Sequence, residues 1–157
     1  MIKRKTPPDY EKIRLRLAGL CARSEQCTSD IRRKALQSGL SRAEVDSIIA
    51  FLSDNRFLDD RRFAGAYARD KAALAGWGPY KIRMGLRQKG ISEELADEAL
   101  ASVDEETYSN TLAKLVESAA RRLDLSDPSD RNRLLRQLAA RGFSLSSISR
   151  FLDTEEY

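Results

Sequence analysis

Apolar side chains recur along this chain at helical spacing, and the pattern occurs three times. The segments IRRKALQSGLSRAEVDSIIAFL (31–52), IRMGLRQKGISEELADEALASV (82–103) and LLRQLAARGFSLSSISRFL (134–152) align on Gly39, Gly90 and Gly142, which are 51 and 52 positions apart. Eight positions before each glycine stand Ile31, Ile82 and Leu134; four before stand Ala35, Leu86 and Leu138. Directly after it come Leu40, Ile91 and Phe143, then Ser41, Ser92 and Ser144, and at the sixth position Val45, Ala96 and Ile148. Residues four apart share one face of a helix. Each segment therefore predicts a helix that ends at the glycine, where a left-handed residue closes the last turn at little cost. The apolar residue that follows turns back to the core, and the serine caps the next helix by accepting a bond from a free backbone N–H.

A further amphipathic stretch precedes each of these pairs. It covers about 10–23 with Ile13, Leu17, Leu20 and Cys21 inward, about 60–74 with Phe63, Ala66, Tyr67 and Leu74, and about 105–123 with Tyr108, Leu112, Leu115, Val116 and Leu123. The joints EQCTS, AGWGP and DLSDPS place N-caps at Thr28 or Ser29, at Gly78 before Pro79, and at Ser129; a proline in the first turn loses no hydrogen bond. The pattern predicts an all-α protein of three tandem three-helix repeats. A unit of this length is marginal alone. The repeats are therefore expected to stack end to end, each touching mainly its neighbour, in an elongated curved molecule. The expected boundaries are a flexible N-terminal tail at 1–9 and repeats at 10–55, 56–103 and 104–157.

Charge is distributed unevenly along this frame. The net charge is only +4, yet residues 61–92 carry +7 and residues 93–128 carry −7. A cationic segment followed at once by an anionic one suits a chain with two charged faces. No apolar run approaches the length of a membrane span, and the basic start MIKRKTPPDY leads into no apolar signal core, so a cytoplasmic protein is expected. Cys21 and Cys27 read as reduced thiols, because two cysteines and no histidine make neither a disulfide framework nor an ordinary zinc site. Enzymatic chemistry has thin support. The chain has no histidine to act as a base, neither cysteine has an activating partner in the sequence, and GWG lacks the spacing of a phosphate-cradling loop. No cofactor or metal is expected. The acids at 104–106 fit a helix N-terminus.

The cationic segment therefore reads as a binding surface, formed by Arg61, Arg62, Arg69, Lys71, Lys81, Arg83, Arg87 and Lys89. On the helix after Pro79, Ile82 and Leu86 face the core while Arg83 and Arg87 lie one turn apart on another face. The plainer reading is a solvated helix surface, but within 61–92 Asp70 is the one acid set against these eight bases. Trp77 reads as a core plug at a helix joint before a ligand platform, and Asp59 and Asp60 as caps of the helix beginning near Arg61. Two partners suit such a surface: nucleic acid, drawn to Lys and Arg by its phosphates, and an acidic protein surface. A three-helix unit with a sharp glycine turn is also compatible with a directly DNA-binding helix-turn-helix protein.

The stretch FLDDRRFAGAYARDKA (57–72) with GWGPYKIRMGLRQKGIS (76–92) resembles the signature of the RecX family, bacterial regulators of the RecA recombinase. Leu58, Asp59, Asp60, Arg62, Phe63, Ala64, Arg69, Gly76, Gly78, Pro79, Ile82, Leu86, Lys89, Gly90 and Ile91 fill its pattern. The first unit is similar to the family's opening unit, with Asp30, Ile31 and Ala35 standing where Glu, Leu and Leu are usual, and the third is the weakest match, resting on LLRQLAARGFS. The resemblance implies three tandem three-helix repeats and a non-enzymatic regulator. It implies a protein that lies in the groove of the RecA filament on single-stranded DNA and restrains its ATPase and strand exchange in recombination, DNA repair and the SOS response. A monomer with at most weak direct DNA contact is expected. It does not assign the contact residues; the eight cations are the candidates by charge.

Overall fold

The computed structural model describes residues 6–154. The first five residues of the expected tail lie outside the described residues, as do the last three of the chain. Among the described residues the secondary structure is nine helices. They are α1 Tyr10–Arg23, α2 Thr28–Gln37, α3 Arg42–Asp54, α4 Asp60–Ala73, α5 Pro79–Gln88, α6 Glu93–Ala101, α7 Glu105–Ala120, α8 Pro128–Ala140 and α9 Leu145–Thr154. They form three three-helix repeats in tandem, α1–α3, α4–α6 and α7–α9.

The glycine hinges sit as the repeat pattern requires. Gly39, Gly90 and Gly142 have φ of 92°, 73° and 102°. In the second and third repeats the residue after the glycine closes the turn, Ile91 N–H donating to Leu86 C=O at 3.1 Å and Phe143 N–H to Leu138 C=O at 3.2 Å. This bond satisfies a carbonyl that the helix end leaves open. Ser41, Ser92 and Ser144 then accept from the backbone N–H of Glu44, Leu95 and Ser147, and Glu44 bonds back to the Ser41 N–H to complete a capping box. Two caps differ from the sequence reading. The cap of α2 is Cys27, one residue earlier than Thr28 or Ser29, and its side chain makes no capping bond to the helix backbone. The cap of α8 is Asp127, not Ser129; its carboxylate accepts from the Ser129 N–H, and Pro128 takes the first helical position.

The inward face of α4 also differs. Phe63 is buried as expected, but the rest of the face is Ala64, Ala68 and Ala72. Ala66 is only partly buried and Leu74, past the end of the helix, is 84% exposed. Alanines four apart let neighbouring helices approach closely, a stripe that a search for large apolar residues overlooks.

The exposed area is 10410 Å², against about 7,900 Å² for a compact monomer of this mass, so the molecule is elongated. It does not consist of three equal small cores. One apolar cluster holds Ile13, Leu17, Ile31, Val45, Ile48 and Leu52 of the first repeat. The other runs without a break from Phe63, Ile82 and Leu86 to Val116, Leu134 and Ile148, and takes in Cys27 from the first repeat. The second and third repeats thus share one core.

They are also joined through their backbones. Gly78 N–H donates to Arg141 C=O at 2.8 Å and Tyr80 N–H to Gly142 C=O at 3.0 Å. The start of α5 thereby abuts the end of α8. A Cβ on Gly78 would lie 2.5 Å from the Gly142 carbonyl, and one on Gly142 would lie 2.5 Å from the Lys81 nitrogen. Gly78 has an ordinary φ of −86°, so its need for glycine comes from this approach alone. Urea unfolding is expected to rank the glycines accordingly. Gly90→Ala costs about 1 kcal/mol from its left-handed backbone. Gly142→Ala costs about 2 kcal/mol or more, because overpacking adds to the same strain. Gly78→Ala, unstrained in φ, matches or exceeds Gly90→Ala; a neutral Gly78→Ala would contradict the contact.

Candidate functional site

The eight candidate cations sit on α4, α5 and the turn that follows, and the fold gives five of them partners that no sequence-near acid supplies. Arg61 pairs with Glu98 at 2.9 Å, and Arg83 reaches Glu93 at 3.0 Å and Asp97 at 2.7 Å. Arg87 shares Glu93 at 2.9 Å. The acids of α6 therefore fold back on the bases of α4 and α5, and the cationic and anionic segments partly neutralise each other inside one repeat. The hydrogen bond from Arg87, then that from Arg83, holds the Glu93 carboxyl below its usual range. Asp97 in turn raises the Arg83 guanidinium further.

The other two pairs bridge the first and second repeats. Arg62 Nε donates to Glu25, and Lys89 Nζ donates to Asp30 at 2.8 Å. Around them Ser29 donates to the Lys89 carbonyl, and Asp60 accepts from the Thr28 N–H at 2.8 Å. The two acids therefore divide the capping work. Asp59 caps α4 by accepting from the Arg62 N–H, while Asp60 caps α2 across the joint, where the Cys27 side chain makes no capping bond. Such polar joints differ in kind from the apolar and backbone joint between the second and third repeats.

Arg69, Lys71 and Lys81 form no ion pair among the described residues. Arg69 lies back over Gly65, where a Cβ would be 3.0 Å from its guanidinium. Lys71 and Lys81 flank the ring of Trp77, with ammonium groups 4.6 and 4.5 Å from its centre. Tyr67 meets the same ring edge-on at 6.3 Å. Trp77 is half-buried and packed against the shared core, so it plugs the joint and also presents an electron-rich face to two cations. Sequence reasoning missed Arg141 and Arg150, further cations without an ion pair at the junction of the second and third repeats. The Arg141 guanidinium lies beside Gly76. The signal that could have found Arg141 is its place directly before Gly142, at the end of the helix that meets Gly78.

The same junction holds a cavity of about 640 Å³ lined by α5, α7 and α9, with Tyr80, Tyr108, Leu112, Phe143 and Arg150 in its wall. Burial, and then the charge of Glu105, push the Tyr108 phenol up to about 12, so its hydroxyl stays protonated. No group of His, Cys, Asp and Glu suited to hold a metal ion occurs among the described residues, and no described helix is long and apolar enough to cross a membrane.

Comparison with known proteins bears on this region directly. Residues 59–100, which contain all eight candidate cations, match the family model described as RecX, second three-helix domain. The chain is similar to the regulatory protein RecX of Prosthecochloris aestuarii, 28% identical over 148 residues that span 92% of this chain and 94% of that protein. It is 30% identical over 141 residues to the regulatory protein RecX of Halorhodospira halophila, spanning 88% of this chain and 84% of that protein. A crystal structure of regulatory protein RecX superposes with a TM-score of 0.80 at 28% identity, over 93% of this chain and 73% of that one.

The Lys89–Asp30 pair makes the joint between the first two repeats sensitive to pH. Burial alone would raise the Asp30 carboxyl, but the hydrogen bond and charge of Lys89, with help from Cys27 and Arg33, hold it below its ordinary 3.8. Asp30 in turn holds Lys89 above 10.5. A depressed carboxyl stabilises the fold above its ordinary value, and that stability is lost as pH falls through the folded value. A raised ammonium stabilises below its ordinary value, and that stability is lost as pH rises through the folded value. Thermal unfolding is thus expected to weaken below about pH 4 and above about pH 10, with Lys89→Met flattening the alkaline limb. Identical alkaline profiles for the variant and the native chain would contradict this.

Proposed function

Because this chain belongs to the RecX family, whose curated members are named regulatory proteins, we propose that it regulates the RecA recombinase by lying along the groove of the RecA filament on single-stranded DNA. In this reading it acts mainly to restrain DNA-dependent ATP hydrolysis and strand exchange during recombination and repair, as a cytoplasmic monomer. The observation that carries the reading is the coincidence of the family match at 59–100 with the cationic segment. An elongated body of three repeats also suits a long, repeating partner better than a compact one.

The eight cations then divide by task. Arg69, Lys71 and Lys81, which have no acidic partner among the described residues, form the outward contact with an acidic or phosphate-bearing groove. Arg61, Arg83 and Arg87 brace α6, and Arg62 and Lys89 brace the first repeat, each adding to the long-range field that steers association. The test is inhibition of DNA-dependent ATP hydrolysis by RecA. Arg69→Glu with Lys81→Glu is expected to weaken inhibition tenfold or more, since charge reversal across an interface costs on the order of a kcal/mol or more per contact. Native inhibition is expected to fade as salt rises. Arg83→Gln is expected instead to lower the unfolding temperature and leave most inhibition in place. A folded Arg69→Glu, Lys81→Glu variant that inhibits at native concentrations would place the contact elsewhere.

A further inference from the structure

The cavity between the second and third repeats has features that the regulator reading leaves unused. Its volume of about 640 Å³ is that of a small-ligand site. Leu112 and Phe143 give it a buried apolar floor, and Tyr80, 65% exposed, adds an accessible aromatic ring. Tyr108 in its wall is 9% exposed, and its hydroxyl is buried with no hydrogen-bond partner among the described residues. A buried donor left unpaired is unfavourable and uncommon, which marks it as a group open to an acceptor from outside. Arg150 lines the same cavity with its charge unpaired among the described residues, whereas Arg83 is already held by Glu93 and Asp97. Glu105 and Ser109 supply an acceptor and a second hydroxyl.

We propose that this cavity receives one nucleotide of a single-stranded nucleic acid, its base against Tyr80 and the Leu112–Phe143 floor and its phosphodiester on Arg150. A base brings two flat apolar faces and an edge of donors and acceptors, which match the rings on one hand and Tyr108, Ser109 and Glu105 on the other. The charge also fits. A phosphodiester carries one negative charge and the wall offers one uncommitted cation, too few for a free nucleoside triphosphate. Lys71, Lys81 and Arg141, unpaired at the same junction, extend positive charge beyond the cavity, as a continuing strand requires. The inference goes beyond the regulator reading, because it requires no recombinase.

Fluorescence anisotropy of the full chain with labelled oligo-dT, and with an abasic oligomer of equal length, tests it. Oligo-dT is expected to bind on the order of tenfold more tightly than the abasic strand, the gain that base–aromatic stacking gives. Tyr108→Phe is expected to erase most of that difference while leaving the unfolding temperature equal or higher, since the lost hydroxyl has no partner among the described residues. Arg150→Gln is expected to weaken both strands several-fold. Equal binding of the two strands would reduce the contact to phosphates alone and overturn the proposal, as would native binding by Tyr108→Phe. Displacement of oligo-dT by dTMP at the same nucleotide concentration would reassign the cavity to free nucleotides. Absence of binding to either strand at low salt would reassign it to a protein segment.

Discussion

The contact on which the rest of this molecule depends is the meeting of two backbones at Gly78 and Gly142. Each residue gives up a side chain so that the start of α5 can hydrogen-bond the end of α8. The approach sets the second and third repeats at one fixed separation, and at that separation their apolar faces merge into a single core. Thr111 strengthens the same joint by donating to the Ala72 carbonyl at 2.9 Å, which occupies a C=O that the end of α4 would otherwise leave open. Trp77, held between Gly76 and Gly78, then has one place to go: against the shared core, with Lys71 and Lys81 over its ring.

The first repeat is attached by different physics. Apart from Cys27, and from Phe57 and Leu58 of the connecting segment, which pack on the first cluster, its link to the second repeat is made of ion pairs, a borrowed helix cap and one hydroxyl-to-carbonyl bond. Exposed charge pairs contribute little each and weaken with salt, whereas a packed apolar joint is nearly indifferent to salt. The molecule is thus a two-repeat body with one shared core, α4–α9, that carries the first repeat on a largely polar joint. For a protein proposed to follow a helical groove, the division has a use: the two-repeat body sets the register, and the first repeat can adjust its angle.

Much of this was legible in the sequence because it is local. The glycine, the apolar residue after it and the serine cap lie within three positions of one another, and Gly39, Gly90 and Gly142 all take the left-handed backbone that the pattern requires. Ile82 and Leu86 are buried as their spacing predicts. The joints were not legible, because they pair residues far apart in the chain: Lys89 with Asp30, Arg61 with Glu98, Gly78 with Gly142. Sequence gives the charge of Arg83 but not that Glu93 and Asp97 hold it. It shows Gly78 as a helix cap but not as one half of a backbone contact. The same distance hides the cavity, whose wall draws on Tyr80, Tyr108 and Arg150 from three helices.

The most direct measurement of this organisation is native-state amide hydrogen exchange. The amides of α4 to α9, with those of Gly78 and Tyr80 among the slowest, are expected to open together in one cooperative unit. Those of α1 to α3 are expected to open separately and at lower free energy, more so in high salt. If α7–α9 opened independently of α4–α6, or if the Gly78 amide exchanged at the rate of an open loop, the two-repeat body held by Gly78 and Gly142 would be refuted.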